Sequence, residues 1–162
     1  MGKNLLLLAL VAFIGCKGIS QEEKKETEKK DVVYAVTKTD AEWKAELTEM
    51  EYYVLRKAAT ENAFTSDLLE NKKKGTYVCA ACETPLFRSE DKFKSGTGWP
   101  SFDKAIEGNV AYDVDYKIGY ARTEEHCATC GGHLGHVFND GPSETTGKRH
   151  CINGVALDFI PD

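Results

Sequence analysis

Long apolar runs are scarce in this 162-residue chain, and the longest, from Leu5 to Ile14, spans ten residues. A membrane-crossing helix needs about twenty, so no segment reads as a span. An excess of positive charge is also missing. Lysine and arginine number 21 against 26 acids, a formal net charge of −5. That balance argues against nucleic acid as a partner, because a phosphate backbone is bound through a clustered basic surface. Prolines number only four, and after Gly75 no helical period is visible. What remains there is a series of short β-prone runs broken by Gly, Pro, Asn and Asp. With 41% hydrophobic and 29% charged residues, the composition is that of a soluble globular protein, and the length fits one domain plus appendages.

The first sixteen residues read as an export signal. Lys3 precedes the ten apolar residues, and a secretory h-region needs only about 7 to 15. Phe13-Ile14-Gly15-Cys16 resembles the lipobox of bacterial lipoproteins, in which cleavage exposes a cysteine that carries lipid. Lipoboxes usually have Leu where Phe13 stands, so simple cleavage and secretion is the alternative. From Lys17 to Asp31 the only bulky apolar residue is Ile19 and five lysines balance five acids, which predicts a solvated tether ahead of a domain that begins near Thr37. The expected organisation is therefore a signal over 1–16, a tether over 17–36 and a domain over 37–162. The expected location is the cell envelope, with Cys16 as a membrane anchor facing the periplasm or exterior.

Within the domain, Thr39-Asp40-Ala41-Glu42 and Thr48-Glu49-Met50-Glu51 both have capping-box spacing. They predict two short helices, the first with Trp43 and Leu47 on one stripe, the second packed by Met50, Tyr53 and Val54. Leu68 and Leu69 are placed in a further turn. Val110 to Tyr116 alternates as a strand, and 119–123, 135–138, 149–153 and 155–160 are further candidates. The fold expected is mainly β, an antiparallel core preceded by small helices.

Cys79-Ala80-Ala81-Cys82 and Cys127-Ala128-Thr129-Cys130 are two C-x-x-C pairs. Each can put two thiolates on one ion through a tight turn, and four complete the tetrahedral shell of a structural Zn²⁺. Gly131-Gly132 supplies backbone freedom beside the second pair. Disulfides are the alternative, since an exported chain can meet an oxidising compartment. A redox role for one pair would want a thioredoxin-like βαβ context, which is lacking.

Cys151 is the thiol left over. On a strand, Arg149, Cys151 and Asn153 would share a face and His150 would point away. The guanidinium would favour a reactive thiolate, although a lone strand cysteine is commonly a packing residue. His133 and His136, three apart, would point to opposite faces of an extended chain unless Gly135 bends it. Together they suit proton donation, metal ligation or solvation. Gly98-Trp99-Pro100 presents a stiffened Trp between residues that allow close backbone approach.

Taken together, Gly98-Trp99-Pro100-Ser101-Phe102, His133-Leu134-Gly135-His136-Val137-Phe138, Asp140-Gly141-Pro142 and Arg149-His150-Cys151-Ile152-Asn153 resemble the B-type methionine sulfoxide reductases over about residues 40–162. Both C-x-x-C pairs stand where zinc-binding members have them. Trp43, Tyr53, Arg56, Thr60 and Glu61 are similar to the family's N-terminal segment. The resemblance implies two antiparallel sheets with N-terminal helices, one structural zinc, and reduction of the R epimer of methionine sulfoxide, preferentially within proteins. It implies Cys151 as the nucleophile, Trp99 as the wall receiving the substrate methyl, and His133, His136 and Asn153 as polar groups of the site. Arg149 and Asp140 support it.

Two departures from the family pattern bear on mechanism. Thr97 stands where many members carry a recycling cysteine, so an external thiol, such as a thioredoxin-like protein, is expected to reduce the enzyme. His150 stands where Tyr or Phe is more usual. The competing readings are a non-catalytic zinc-ribbon envelope lipoprotein that binds a partner, and a hydrolase with an ion on His133 and His136.

Overall fold

A computed structural model describes residues 32–162, which form one compact unit. The expected signal, Cys16 and most of the tether lie outside the described residues. No described helix is long and apolar enough to cross a membrane.

Helices α1 (Asp40–Glu46) and α2 (Glu49–Lys57) each begin with the capping box read from the sequence. Thr39 and Thr48 accept from the N3 backbone while Glu42 and Glu51 reach back to the cap N–H. Trp43 is buried as expected, under the guanidinium of Arg56 at 4.8 Å from its ring. The buried face of α2 differs from the expected one. Tyr52, Val54 and Leu55 face inward, whereas Met50 and Tyr53 are each 48% exposed. The helix is turned by its anchors. Tyr52 Oη donates to Asp40 at 2.6 Å, and Arg56 donates to the carbonyl of Cys130 at 2.9 Å. Leu68 and Leu69 sit in a turn, as read.

The rest is mainly β and forms two antiparallel sheets. The smaller has the order β2 (Pro85–Arg88), β1 (Gly75–Cys79), β9 (Leu157–Pro161). The larger has the order β3 (Lys92–Phe93), β4 (Ser101–Phe102), β8 (Arg149–Ile152), β7 (His133–Phe138), β6 (Arg122–Cys127), β5 (Val110–Asp115). Of the run 119–123, expected to be strand, only Arg122 and Thr123 are, and 119–121 belong to the connection before them. Gly119 N–H bonds the Tyr116 carbonyl at 3.0 Å with Gly119 at φ +87°, so β6 starts only at Arg122.

The core contains an aromatic stack. Phe87 lies on Phe102 at 4.4 Å and 14°, with Tyr77 edge-on to Phe102 at 4.9 Å. Leu86, Leu134, Ile152 and Leu157 complete it with α2's Leu55. Burying each such side chain contributes about 1.5–3 kcal/mol relative to exposure. Contacts at the N-terminal side begin before residue 37: Tyr34 packs edge-on to His126, and Val36 N–H donates to the Thr129 carbonyl at 3.0 Å.

Candidate active site and metal centre

Four cysteines converge at one end of the two sheets. Cys79 ends β1 and Cys82 closes the turn after it, while Cys127 ends β6 and Cys130 closes the turn before β7. Their sulfurs all lie within 4.8 Å of one another. Cys79 and Cys130 approach to 3.7 Å and Cys82 and Cys127 to 3.5 Å, so the close pairs cross between the two motifs. Four sulfurs about 2.3 Å from a central ion stand roughly this far apart, whereas a disulfide needs about 2.05 Å. The cluster therefore fits a metal. It also spans the small sheet and the large one, so an ion there would clasp both.

The two turns share a backbone solution. Each pair is followed by a left-handed residue, Glu83 at φ +58° and Gly131 at φ +70°. The N–H of each closes the turn onto the first cysteine's carbonyl, at 2.8 Å in both cases. At Gly131 no side chain would fit, since a Cβ would stand 2.5 Å from the Tyr34 ring. Without an ion the thiols compete for protons through their mutual hydrogen bonds. Cys82 is lowered to about 6, Cys127 is lowered and Cys79 and Cys130 are raised.

Cys151 lies on β8, between β4 and β7, in register with Ser101 on one side and His136 on the other. With Thr60, Trp99, Arg122, His136, Phe138 and Asn153 it lines a pocket of about 120 Å³. His133, Arg149 and Asp140 are not among its walls. Strand alternation holds where it was expected. His150 points to the opposite face and bonds the fully buried Glu125 at 2.5 Å.

The two histidines converge through a bulge. Along β6 and β7 the pairing runs Glu124 with His136 and Glu125 with Gly135, then His126 with His133, so Leu134 is the extra residue. One inserted residue converts a spacing of three into one shared face, and the imidazole centroids stand 5.5 Å apart. Gly135 beside the bulge has no room for a side chain. A Cβ would lie 2.0 Å from the Cys151 carbonyl oxygen.

Each imidazole has its own carboxylate. His133 Nδ1 meets Glu124 at 2.5 Å, and His136 Nε2 meets Asp115 at 2.8 Å. Asp115 also accepts from Arg122 and from the Lys117 N–H. These bonds hold its carboxyl well below the usual range. Burial pushes His136 below its ordinary value, partly offset by Asp115. The four-cysteine cluster is the group with metal-ligand geometry among the described residues.

Burial also raises the Cys151 thiol, and the Thr97 hydroxyl and the Arg149 guanidinium offset this only in part. Arg149 acts in the expected direction, favouring the thiolate, but burial of the thiol outweighs it. The guanidinium also gives Asp140 two bonds of 2.9 Å and lies 4.4 Å over the Phe138 ring, bracing β8 against β7 and the loop that joins them.

Nothing in the sequence singled out the hydroxyl chain that ends on the sulfur. Ser101 Oγ donates to Ser95 at 2.8 Å, Ser95 and Thr97 lie 2.9 Å apart, and Thr97 Oγ1 is 3.8 Å from Cys151 Sγ. Glu61 is a second unforeseen organiser. Its carbonyl accepts from Trp99 Nε1 at 3.2 Å, its N–H donates to Asn153 Oδ1 at 3.0 Å, and its carboxylate caps the N–H groups of Gly154 and Val155. Asn153 also donates to the Leu134 carbonyl at 2.9 Å. Its amide is thereby locked and borders the pocket as a fixed wall.

A partly buried thiol paired across strands with an imidazole, in a small pocket, defines a thiol-chemistry site on two sheets that meet at a four-cysteine cluster. The SelR domain model matches residues 47–161, and the chain belongs to that family. It is 54% identical over 127 residues, 78% of this chain and 96% of the relative, to "Peptide methionine sulfoxide reductase MsrB" of Leptospira interrogans serogroup Icterohaemorrhagiae serovar Lai. A protein of the same description from Leifsonia xyli subsp. xyli is 49% identical over 130 residues, covering 80% and 94% of the two chains. Another, from Alteromonas mediterranea, is 51% identical over 121 residues, covering 74% and 84%.

Proposed function

We propose that this protein reduces methionine R-sulfoxide in polypeptides to methionine, with Cys151 as nucleophile. Family membership supports the reaction. The observation that carries the residue assignment is the pocket in which Cys151, His136 and Trp99 share walls. A non-catalytic binding module is not favoured by this arrangement.

The reaction needs no net proton. His136 holds its Nε2 proton toward Asp115, which leaves Nδ1 as a base. As the sulfoxide enters, the Cys151 thiol gives its proton to His136 and the thiolate attacks the sulfoxide sulfur. The imidazolium returns that proton to the sulfoxide oxygen, and the hydroxyl passes from the methionine sulfur to the Cys151 sulfur as the S–S bond formed in the attack breaks. Methionine leaves and the oxygen stays on Cys151 as a sulfenic acid. Trp99 receives the methyl on its apolar face, and Asn153 forms the polar side. Between His133 and His136 we assign the proton to His136, because it borders the pocket and stands opposite Cys151 in the sheet.

This scheme sets the pH dependence. The active form carries one proton on the Cys151–His136 pair, thiol protonated and imidazole neutral. His136 is lowered from 6.5 and Cys151 raised from 9.0. The profile of kcat/KM should therefore stay flat through neutral pH, fall on an acid limb below 6.5 and decline only above 9. His136→Asn should remove the acid limb and cost about 10²-fold or more in rate. An unchanged acid limb in that variant would transfer the role to another group.

Recycling follows from Thr97. An external thiol condenses with the sulfenic acid, releasing water and forming a mixed disulfide, which a second thiol reduces. A thioredoxin-like protein or a small dithiol suits this step. After one turnover without reductant, wild-type Cys151 should be trapped by a sulfenic-acid reagent. Because Thr97 Oγ1 lies 3.8 Å from Cys151 Sγ between two glycines, Thr97→Cys should instead form an intramolecular disulfide. Mass spectrometry after thiol alkylation distinguishes these, and a trapped sulfenic acid in Thr97→Cys would contradict the assigned geometry.

We assign zinc to the four-cysteine cluster, since its sulfur-only donor set and closed tetrahedral shape suit that ion. The thiolates would hold it as a clasp with no open position for substrate. We further propose the division at 1–16, 17–36 and 37–162, the end of the tether docking on the domain through Tyr34 and Val36, with export and lipid anchorage at Cys16 in the cell envelope, on the short apolar run and the small Gly15 before it. A mature protein without acyl mass on Cys16 would leave secretion alone.

A further inference from the structure

Trp99 has a second side. Behind it lies a groove of about 350 Å³, within the size range of ligand sites, formed where the turn after Phe64 meets the segment from β3 to Trp99. Its apolar walls include Phe64, Leu69, Phe93 and Trp99, and its charged groups are Lys72, Lys92 and Lys94 against the single carboxylate Glu70. The fold brings Lys72, the first of the run Lys72-Lys73-Lys74, together with Lys92 and Lys94 of a second segment, on a chain whose net charge is −5.

The charges there are incompletely answered. Lys92 is half-buried and donates to the carbonyls of Leu69 and Asn71 at 2.7 and 3.3 Å, with no carboxylate in ion-pair distance among the described residues. Lys94 meets Glu70 at 3.5 Å, but the two side chains are 82% and 63% exposed. Such a solvated pair contributes little and yields easily to a competing carboxylate. Phe64, 68% exposed, overhangs Gly98 and adds apolar surface at the rim.

We propose that this groove binds the part of the substrate polypeptide next to the oxidised methionine, and that it selects a neighbouring apolar or aromatic residue together with a carboxylate. This rests on the reading of the Cys151 pocket as the sulfoxide site. The small pocket accommodates one side chain, and an extended chain advances about 3.4 Å per residue, so residues adjoining the methionine pass directly over Trp99 into the groove. The aromatic wall takes the apolar neighbour, and Lys72 and Lys94 take the carboxylate. The site would make the enzyme distinguish among oxidised methionines by their flanks.

The test uses three substrates: a blocked hexapeptide with the R sulfoxide flanked by Phe and Glu, its counterpart with Lys in place of Glu, and blocked methionine R-sulfoxide amide. Wild type should prefer the acidic peptide over the basic one by about tenfold in kcat/KM at low salt, with the preference shrinking as salt is raised. The double variant Lys72→Glu/Lys94→Glu should abolish or invert that preference and leave the amide unchanged. Equal rates on the two peptides, or a parallel loss on the amide, would overturn the groove assignment. An effect seen only when a thioredoxin-like reductant replaces a small dithiol would assign the groove to the reductant and overturn it equally. Titration calorimetry with the reduced forms of the peptides reads the groove without turnover. If wild type reduces none of the substrates yet binds the acidic peptide preferentially, the sulfoxide reading fails and the groove stands as a peptide site. Equal binding of the two peptides counts against the groove.

Discussion

Cys127→Ser, or Cys79→Ser, is expected to release the metal and lower the melting temperature by on the order of 15 °C, the result of losing about 4 kcal/mol or more. The cause is structural. The cluster joins the turn after β1 in the small sheet to the turn between β6 and β7 in the large one. The second turn also carries the Cys130 carbonyl that anchors α2 through Arg56. An ion held by four thiolates supplies folding free energy, and removing one ligand leaves the rest as competing buried thiols. Metal analysis should give one zinc per chain in the wild type and far less in either variant. The melting curve should fall in parallel, and a strong chelator should reproduce the loss. Two disulfides by mass spectrometry and no metal would overturn the assignment. Because β6 and β7 also carry Glu124, His133 and His136, activity should fall together with metal content and not independently of it.

Cys151→Ser should reduce turnover by on the order of 10³-fold or more while leaving the melting curve close to wild type. A hydroxyl facing the same imidazole is a far weaker nucleophile than a thiolate, and the volume change is small. Trp99→Ala should behave differently. It removes the apolar wall and should raise KM by about tenfold or more with a smaller effect on kcat. A serine variant retaining near-normal rates on the R epimer would require a different nucleophile. A serine variant that simply unfolds would be recognised by its melting curve, in which case Cys151→Ala provides the same comparison.

What could be read from the sequence was mostly local. The capping boxes at Thr39 and Thr48 appear in the structure as read, because a cap and its partner lie three residues apart. The two C-x-x-C pairs likewise announce their turns, and the convergence of four sulfurs follows from the donor chemistry. Properties that depend on register were not legible. The face-sharing of His133 and His136 depends on a one-residue bulge at Leu134 set by the pairing of β6 with β7. The buried face of α2 was misread because Tyr52 and Arg56 are held by Asp40 and Cys130, contacts that periodicity does not see. The hydroxyl chain from Ser101 to Thr97 and the multiple bonds of Glu61 join residues of ordinary type across loops, and no spacing rule marks them. Arg149 favours the Cys151 thiolate as read, but the burial that outweighs it depends on the packing around β8, which the sequence does not display.

The most direct test of the central claim is turnover of separated methionine sulfoxide epimers by purified protein with a dithiol reductant. Reduction of the R epimer with little or none of the S epimer, lost in Cys151→Ser, is the expected result. No reduction of either epimer by folded, metal-replete protein, or reduction that survives the loss of Cys151, would contradict it.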